Sequence, residues 1–196
     1  MIHLYGLIVG IAIVVGWSVA EKIEPKVNKV VPWVLGLGFV GARLYHVIDL
    51  WEFYSQNLGL IVAVWNGGMS IWGGLGGGGV GLLIASSRAK SRDPSTTARL
   101  AARQVGMTSI LGAIVTGLPL AQAIGRIGNG VNGEFVNKVW ILPWWAAEAI
   151  LDLVLFGIIW YMPRADDNPP LHEMVRVLVY LMGYGLIRLV LRPLGH

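Results

Sequence analysis

Between Gly125 and Lys138 the chain reads Gly125-Arg126-Ile127-Gly128-Asn129-Gly130-Val131-Asn132-Gly133-Glu134-Phe135-Val136-Asn137-Lys138. A permanent cation, amides and a carboxylate are interleaved there with glycines, between two long apolar runs (106–124 and 143–162). Polar groups at a membrane boundary are retained mainly where they meet a ligand or one another. Glycines remove side-chain bulk and let backbone N–H groups approach a phosphate closely. A second permanent cation, Arg188, lies near the end of the last apolar run. Two guanidinium forks suit a phosphodiester, because arginine binds phosphate oxygens bidentately. At the membrane surface the simplest such group is a phospholipid headgroup. Glu148 and Asp152 stand at i, i+4 inside an apolar run, so one of them is expected to be paired with an arginine or protonated. An internal ion pair that merely holds a bundle together is the structural alternative.

Apolar helices must carry these groups. The sequence is 55% hydrophobic and only 13% charged, against about 25% charged residues in an average soluble chain. That composition defines an integral membrane protein, expected as one domain over residues 1–196 and as an all-α polytopic bundle. Spans of roughly 17–25 apolar residues are expected at about 3–20, 30–48, a third closing near Ala85, 106–124, 144–162 and 174–191. That makes six, plus a re-entrant or interfacial segment over Leu58–Val64. Ser18-Val19-Ala20 resembles a signal-peptidase site, but no lysine or arginine precedes it, so an uncleaved first helix is expected. Arg43, His46 and Asp49 fall on one helix face. Glycines 73, 77 and 81 recur every four residues, a spacing that lets helix backbones pack closely in lipid. Asn66-Gly67-Gly68-Met69-Ser70 reads instead as an irregular polar turn, tolerated in a membrane only when buried in protein or lining a cavity. Pro119 is expected to kink the fourth span.

Six spans put Lys22, Lys26, Lys29, Arg88, Lys90, Arg92, Arg99, Arg103, Arg164 and Arg176 on one side. The other side holds Arg126, Lys138, Arg188 and Arg192, with Arg43 just inside the membrane. The basic-rich side is expected to be cytoplasmic. Both termini then lie outside, and His3, Tyr5, Arg43, His46, Ser70, Arg126, Asn129, Glu134 and Arg188 gather toward the outer leaflet. With no cysteine, disulfides, thiolate catalysis and cysteine-based metal sites are excluded. The net charge of +4 is too small and too divided among loops to suggest nucleic acid.

These residues resemble the signature of the prolipoprotein diacylglyceryl transferase family. Gly125-Arg126-x-Gly128-Asn129-x-x-Asn132-Gly133-Glu134 is similar to its central motif. His3-x-Tyr5-Gly6, Gly41-Ala42-Arg43 and Trp65-x-Gly67-Gly68-Met69-Ser70-x-x-Gly73-Gly74 resemble further motifs in the same order. Pro143 with Glu148 and Tyr184-Gly185-x-x-Arg188 resemble the last two. The resemblance implies a bacterial cytoplasmic-membrane enzyme acting at the outer leaflet. Such an enzyme moves diacylglyceryl from phosphatidylglycerol to the lipobox cysteine thiol of a preprolipoprotein signal peptide, giving a thioether and glycerol 1-phosphate without metal or cofactor. By the same resemblance Arg126 and Arg188 hold the phosphate and stabilise the leaving group. Asn129, Asn132, Gly133 and Glu134 orient the headgroup, and Tyr5, Arg43, Ser70 and Glu148 line the substrate site.

The chain departs from the family pattern at several points. Trp72 replaces a histidine that is the family's candidate base, so His3 and His46 are the expected substitutes. A thiol of pKa about 8.5 needs such help near neutral pH. Asn137 stands where the family favours glycine, and Trp144-Trp145 replace smaller, more polar residues. Arg192 replaces an acid, and without the further span of longer members the chain is expected to be a short, divergent member. A non-catalytic phospholipid-binding protein of the same fold is the alternative from another functional class. A small transporter or channel is weaker, because the polar groups gather at one face rather than along a path.

Overall fold

A computed structural model describes residues 4–87, 96–134, 137–139, 141–163 and 169–191. Of the residues singled out by sequence, His3, Arg88, Lys90, Arg92, Arg164 and Arg192 lie outside that set. Helices α1 (Leu4–Ile23), α2 (Val27–Asp49), the short α3 (Trp51–Gln56), α4 (Ile71–Ser87), α5 (Thr96–Val131), α6 (Trp144–Tyr161) and α7 (Pro169–Leu191) make up nearly all of it. A two-residue antiparallel pair, β1 (Lys138–Val139) with β2 (Leu142–Pro143), joins α5 to α6. The fold is an all-α polytopic membrane bundle. Among the described residues five helices are long and apolar enough to cross a bilayer. The expected third span is the 17-residue α4, which rises about 26 Å at 1.5 Å per residue.

The chain forms two compact units, residues 1–27 with 104–196, and residues 28–103. In the second unit the glycine spacing of α4 does what the sequence suggests. A methyl group added at Gly73, Gly77 or Gly81 would run into the carbonyl oxygen of Gly41, Leu37 or Trp33 on α2. Gly74 and Gly78 meet α2 only at ordinary contact distance, and Gly76 and Gly79 face open space. One glycine stripe of α4 therefore packs backbone to backbone, the close approach that small residues permit in lipid.

In the first unit Gly16 of α1 meets α5, where a Cβ would lie 3.0 Å from the Ala121 methyl and 3.2 Å from the Gly117 carbonyl oxygen. Helices α6 and α7 pack through Trp144, Leu155, Ile159, Ile187 and Leu191. The inward stripe of α6 runs Trp144, Glu148, Asp152, Leu155, Ile159, all buried, at the three- and four-residue spacing of one helix face.

Helix α5 exceeds its expected bounds at both ends. It begins at Thr96, within what reads as a basic loop, because Ala98, Arg99, Leu100, Ala101, Ala102 and Arg103 are strong helix formers. It also runs on through Val131, so Gly125, Gly128 and Gly130 are helical and their N–H groups lie inside a helix rather than in a phosphate-cradling loop. Gly128 and Gly130 serve packing instead, while Gly125 faces open space. A Cβ on Gly128 would lie 3.1 Å from the Ile8 side chain and 3.4 Å from the Tyr5 ring, and one on Gly130 would meet the Trp145 indole.

Candidate functional site

Helix α5 ends in a Schellman motif built by the glycine-rich signature. Gly133 adopts φ +74, a left-handed conformation that side chains with a Cβ resist. Its N–H donates to the Gly130 carbonyl at 3.1 Å, and the Glu134 N–H donates to the Asn129 carbonyl at 2.9 Å. These are the two bonds that close such a terminus. The turn swings the Glu134 carboxylate back over the helix end, where it accepts from the Asn129 amide at 2.7 Å and the Asn132 amide at 2.6 Å. With its NH2 group committed, Asn129 presents its oxygen to Arg126 Nη1 at 3.4 Å. Four signature residues thus form a relay whose end product is the orientation of one guanidinium.

Arg126 and Arg188, 62 positions apart in the chain, meet at one carboxylate. Arg126 Nη2 lies 2.9 Å from Glu148 Oε1, and Arg188 Nη1 lies 3.2 Å from the same oxygen and 3.5 Å from Oε2. The Glu148 side chain is 0% exposed, that of Arg126 20% and that of Arg188 42%. Glu148 is therefore the floor of the cluster and Arg188 its open side. Trp144, one helical turn before Glu148, places its ring centroid 5.4 Å from each guanidinium carbon, inside the range of a cation–π contact. Its indole N–H donates to the Leu191 carbonyl at 3.0 Å. Among the described residues, two cations share one acid at ion-pair distance. Nε and Nη2 of Arg188 have no hydrogen-bond partner among the described residues.

A second polar layer lies one to two helical turns along the same three helices. Gln122 is four residues before Arg126, Asp152 four after Glu148 and Tyr180 eight before Arg188. The Gln122 amide donates to the Tyr180 hydroxyl at 3.0 Å, and the Tyr180 and Tyr184 rings stack at 6.0 Å. Both Asp152 carboxyl oxygens and Gln122 Oε1 are buried without a hydrogen-bond partner among the described residues. The expectation that one acid of the Glu148–Asp152 pair would find an arginine is met by Glu148.

The remaining expected residues divide by unit. Tyr5 packs on Gly128 in the same unit as the arginine pair and is 37% exposed. Arg43, His46 and Ser70 belong to the other unit. All five N–H bonds of Arg43 point at backbone carbonyls: Nε to Ile61 at 2.9 Å, Nη1 to Gly67 at 2.6 Å and Gly68 at 2.8 Å, Nη2 to Leu60 and, at 3.4 Å, Ala63. The short apolar run after α3 is therefore two 3-10 turns (Leu58–Ile61 and Val64–Asn66) stapled to α2 by one side chain. Gly67 and Gly68 take φ +83 and +78, and a Cβ on Gly68 would collide with His46 and Arg43. His46 stands edge-on to Tyr54 at 5.9 Å. The Ser70 N–H donates to the Ala42 carbonyl at 3.0 Å. Trp72 is 70% exposed. Among the described residues no group of three or more histidines and acids could hold a metal ion.

Trp144, Gln122 and Tyr180 are not legible as site residues one at a time. The signal that exposes them is helical spacing from Arg126, Glu148 and Arg188. Arg176 reads in the sequence as a topology charge, yet it is 0% exposed. It pairs with Glu173 and donates to the Met162 and Pro163 carbonyls, both at 3.0 Å, capping the C-terminal end of α6. A cation favours that end of a helix because its last carbonyls lack intrahelical donors.

The fold and the cluster define a multi-pass membrane bundle that holds two guanidiniums around a buried carboxylate. The chain itself belongs to the prolipoprotein diacylglyceryl transferase family, whose model matches residues 1–193. Curated relatives carry the name phosphatidylglycerol–prolipoprotein diacylglyceryl transferase. The protein from Mycobacteroides abscessus is 39% identical over 57% of this chain and 30% of its own length. That from Finegoldia magna is 26% identical over 94% of this chain and 75% of its own length. The Streptococcus uberis protein is 28% identical over 97% and 78%. The chain thus matches under a third of the first relative and about three quarters of the other two.

Proposed function

We propose that this protein transfers diacylglyceryl from phosphatidylglycerol to the lipobox cysteine of a preprolipoprotein, at the outer leaflet of a bacterial cytoplasmic membrane. The observation that carries this reading is the convergence of Arg126 and Arg188 on Glu148, two cations to one ion-paired acid among the described residues. A phosphodiester carries one negative charge, and the open donors of Arg188 suit its oxygens. The thiol sulfur attacks the glyceryl carbon, the carbon–oxygen bond to phosphate breaks, and glycerol 1-phosphate leaves with the bonding electrons. Charge then grows on the phosphate, where fixed cations lower the barrier most. Asn129, Asn132, Gly133 and Glu134 act by holding Arg126 in place, and Tyr5 lines the pocket. Arg43 and Ser70 shape the irregular segment after α3. His3 or His46 takes the thiol proton that Trp72 cannot.

The test is transfer to a lipobox peptide in phosphatidylglycerol vesicles, read by mass spectrometry. Wild-type protein should yield the thioether, and Arg126→Ala and Arg188→Ala should each abolish it. Unchanged product in both variants would remove the arginines from the mechanism. The exposed Trp72 in place of the family's histidine supports a second reading, a phospholipid-binding protein without turnover. Phosphatidylglycerol binding with no lipidated peptide would favour it. His46→Gln and His3→Gln separate the two proton acceptors, since the one in use should slow turnover most near neutral pH.

A further inference from the structure

We infer that Trp144 is a positioning residue that sets the spacing of the two phosphate-binding guanidiniums, an inference that rests on the function proposed above. Its ring lies 5.4 Å from the guanidinium carbon of Arg126 and 5.4 Å from that of Arg188, so one indole contacts both. Like charges brought to a single carboxylate repel each other, and Glu148 balances only one of them. An aromatic face attracts both cations through its quadrupole without adding a negative charge. A second carboxylate within ion-pair distance would occupy N–H donors that must stay open.

The indole is itself held firmly. Its residue is 4% exposed, its N–H donates to the Leu191 carbonyl at 3.0 Å, and its backbone N–H donates to the Asn137 carbonyl at 2.8 Å. The second bond spans the β1–β2 hairpin, and the first ties the ring to the last turn of α7, one turn beyond Arg188. Trp144 and Glu148 stand at i, i+4, so a single face of α6 supplies both the anion and the π surface.

Trp144→Phe keeps a π face, whereas Trp144→Leu keeps apolar bulk without one, and neither retains the indole N–H. Comparing the two variants thus separates the ring contact from packing and from the Leu191 bond. In phosphatidylglycerol vesicles kcat/KM should fall about ten- to a hundredfold in Trp144→Leu and less than about fivefold in Trp144→Phe, at matched melting temperatures. Guanidinium 15N and 13C resonances of Arg126 and Arg188 should show ring-current shifts in wild type and Trp144→Phe that vanish in Trp144→Leu. Equal losses in both variants, or unshifted arginine resonances in wild type, would overturn the inference. If wild-type protein transfers nothing, the transfer reading fails. The resonance shifts and phosphatidylglycerol binding by the same variants then decide the role of Trp144.

Discussion

Replacing Glu148 with glutamine should move stability and lipid affinity in opposite directions. The carboxylate is fully buried and is the only acid within ion-pair distance of Arg126 and Arg188 among the described residues. Removing one partner of a fully buried pair costs about 3–5 kcal/mol. Arg188 is 42% exposed, so its share is held to about 1 kcal/mol or less by solvent screening. The more enclosed Arg126 contact makes up most of the loss, and about 2–4 kcal/mol is expected. For a chain of this size that is a melting temperature lower by roughly 5–15 °C. The same change removes the negative charge that competes with a lipid phosphate. At an effective dielectric near 20 and a separation of several ångströms, one charge is worth on the order of 1–3 kcal/mol. Phosphatidylglycerol should then bind roughly 5- to 150-fold more tightly to Glu148→Gln. Thermal unfolding in detergent and titration with phosphatidylglycerol vesicles measure the two quantities separately. Affinity falling together with stability would refute the reasoning, because Glu148 would then be contacting the lipid rather than balancing charge.

Three further outcomes follow from the packing. Gly77→Ala should destabilise the α2–α4 contact by about 1–3 kcal/mol, because its methyl group meets the Leu37 carbonyl, while Gly76→Ala, facing open space, should be neutral or slightly stabilising in denaturant titrations. Arg43→Met leaves five carbonyls without their donor and should cost on the order of 3 kcal/mol, with hydrogen exchange rising first over residues 57–68. Asp152→Asn removes a buried acid whose oxygens lack partners among the described residues. It should leave stability unchanged or raise it by about 1–2 kcal/mol, and a marked loss would show that Asp152 is held by the nearby arginines.

Much of the fold is legible in the sequence because hydrophobic runs, their lengths and the α4 glycine spacing act locally. The limits of α5 are not. Strong helix formers before Gly106 carry the helix backward into apparent loop, and close packing on Tyr5, Ile8 and Trp145 makes its late glycines tolerable as helix. The arginine pair can be inferred from charge type and membrane level, but the carboxylate between them can only be narrowed to two acids. Choosing between Glu148 and Asp152 depends on how α6 is rotated against α5 and α7, which no local signal encodes. Arg43 shows the opposite difficulty. A lone arginine near a helix end suggests ligand binding or snorkelling, and only the folded loop reveals that carbonyls from residues 60–68 use all of its donors. Trp144 reads as a departure from pattern because its partners are distant in sequence.

The proposed chemistry requires a single phosphate held between Arg126 and Arg188. Distance measurement by solid-state NMR, between the 31P of phosphatidylglycerol and guanidinium carbons labelled with 13C in reconstituted protein, tests that most directly. Both carbons should lie within about 4–5 Å of one phosphorus. Arg126→Gln should abolish the dephasing of one carbon signal and Arg188→Gln that of the other. Dephasing that is absent for both carbons, or unaffected by both substitutions, would contradict it.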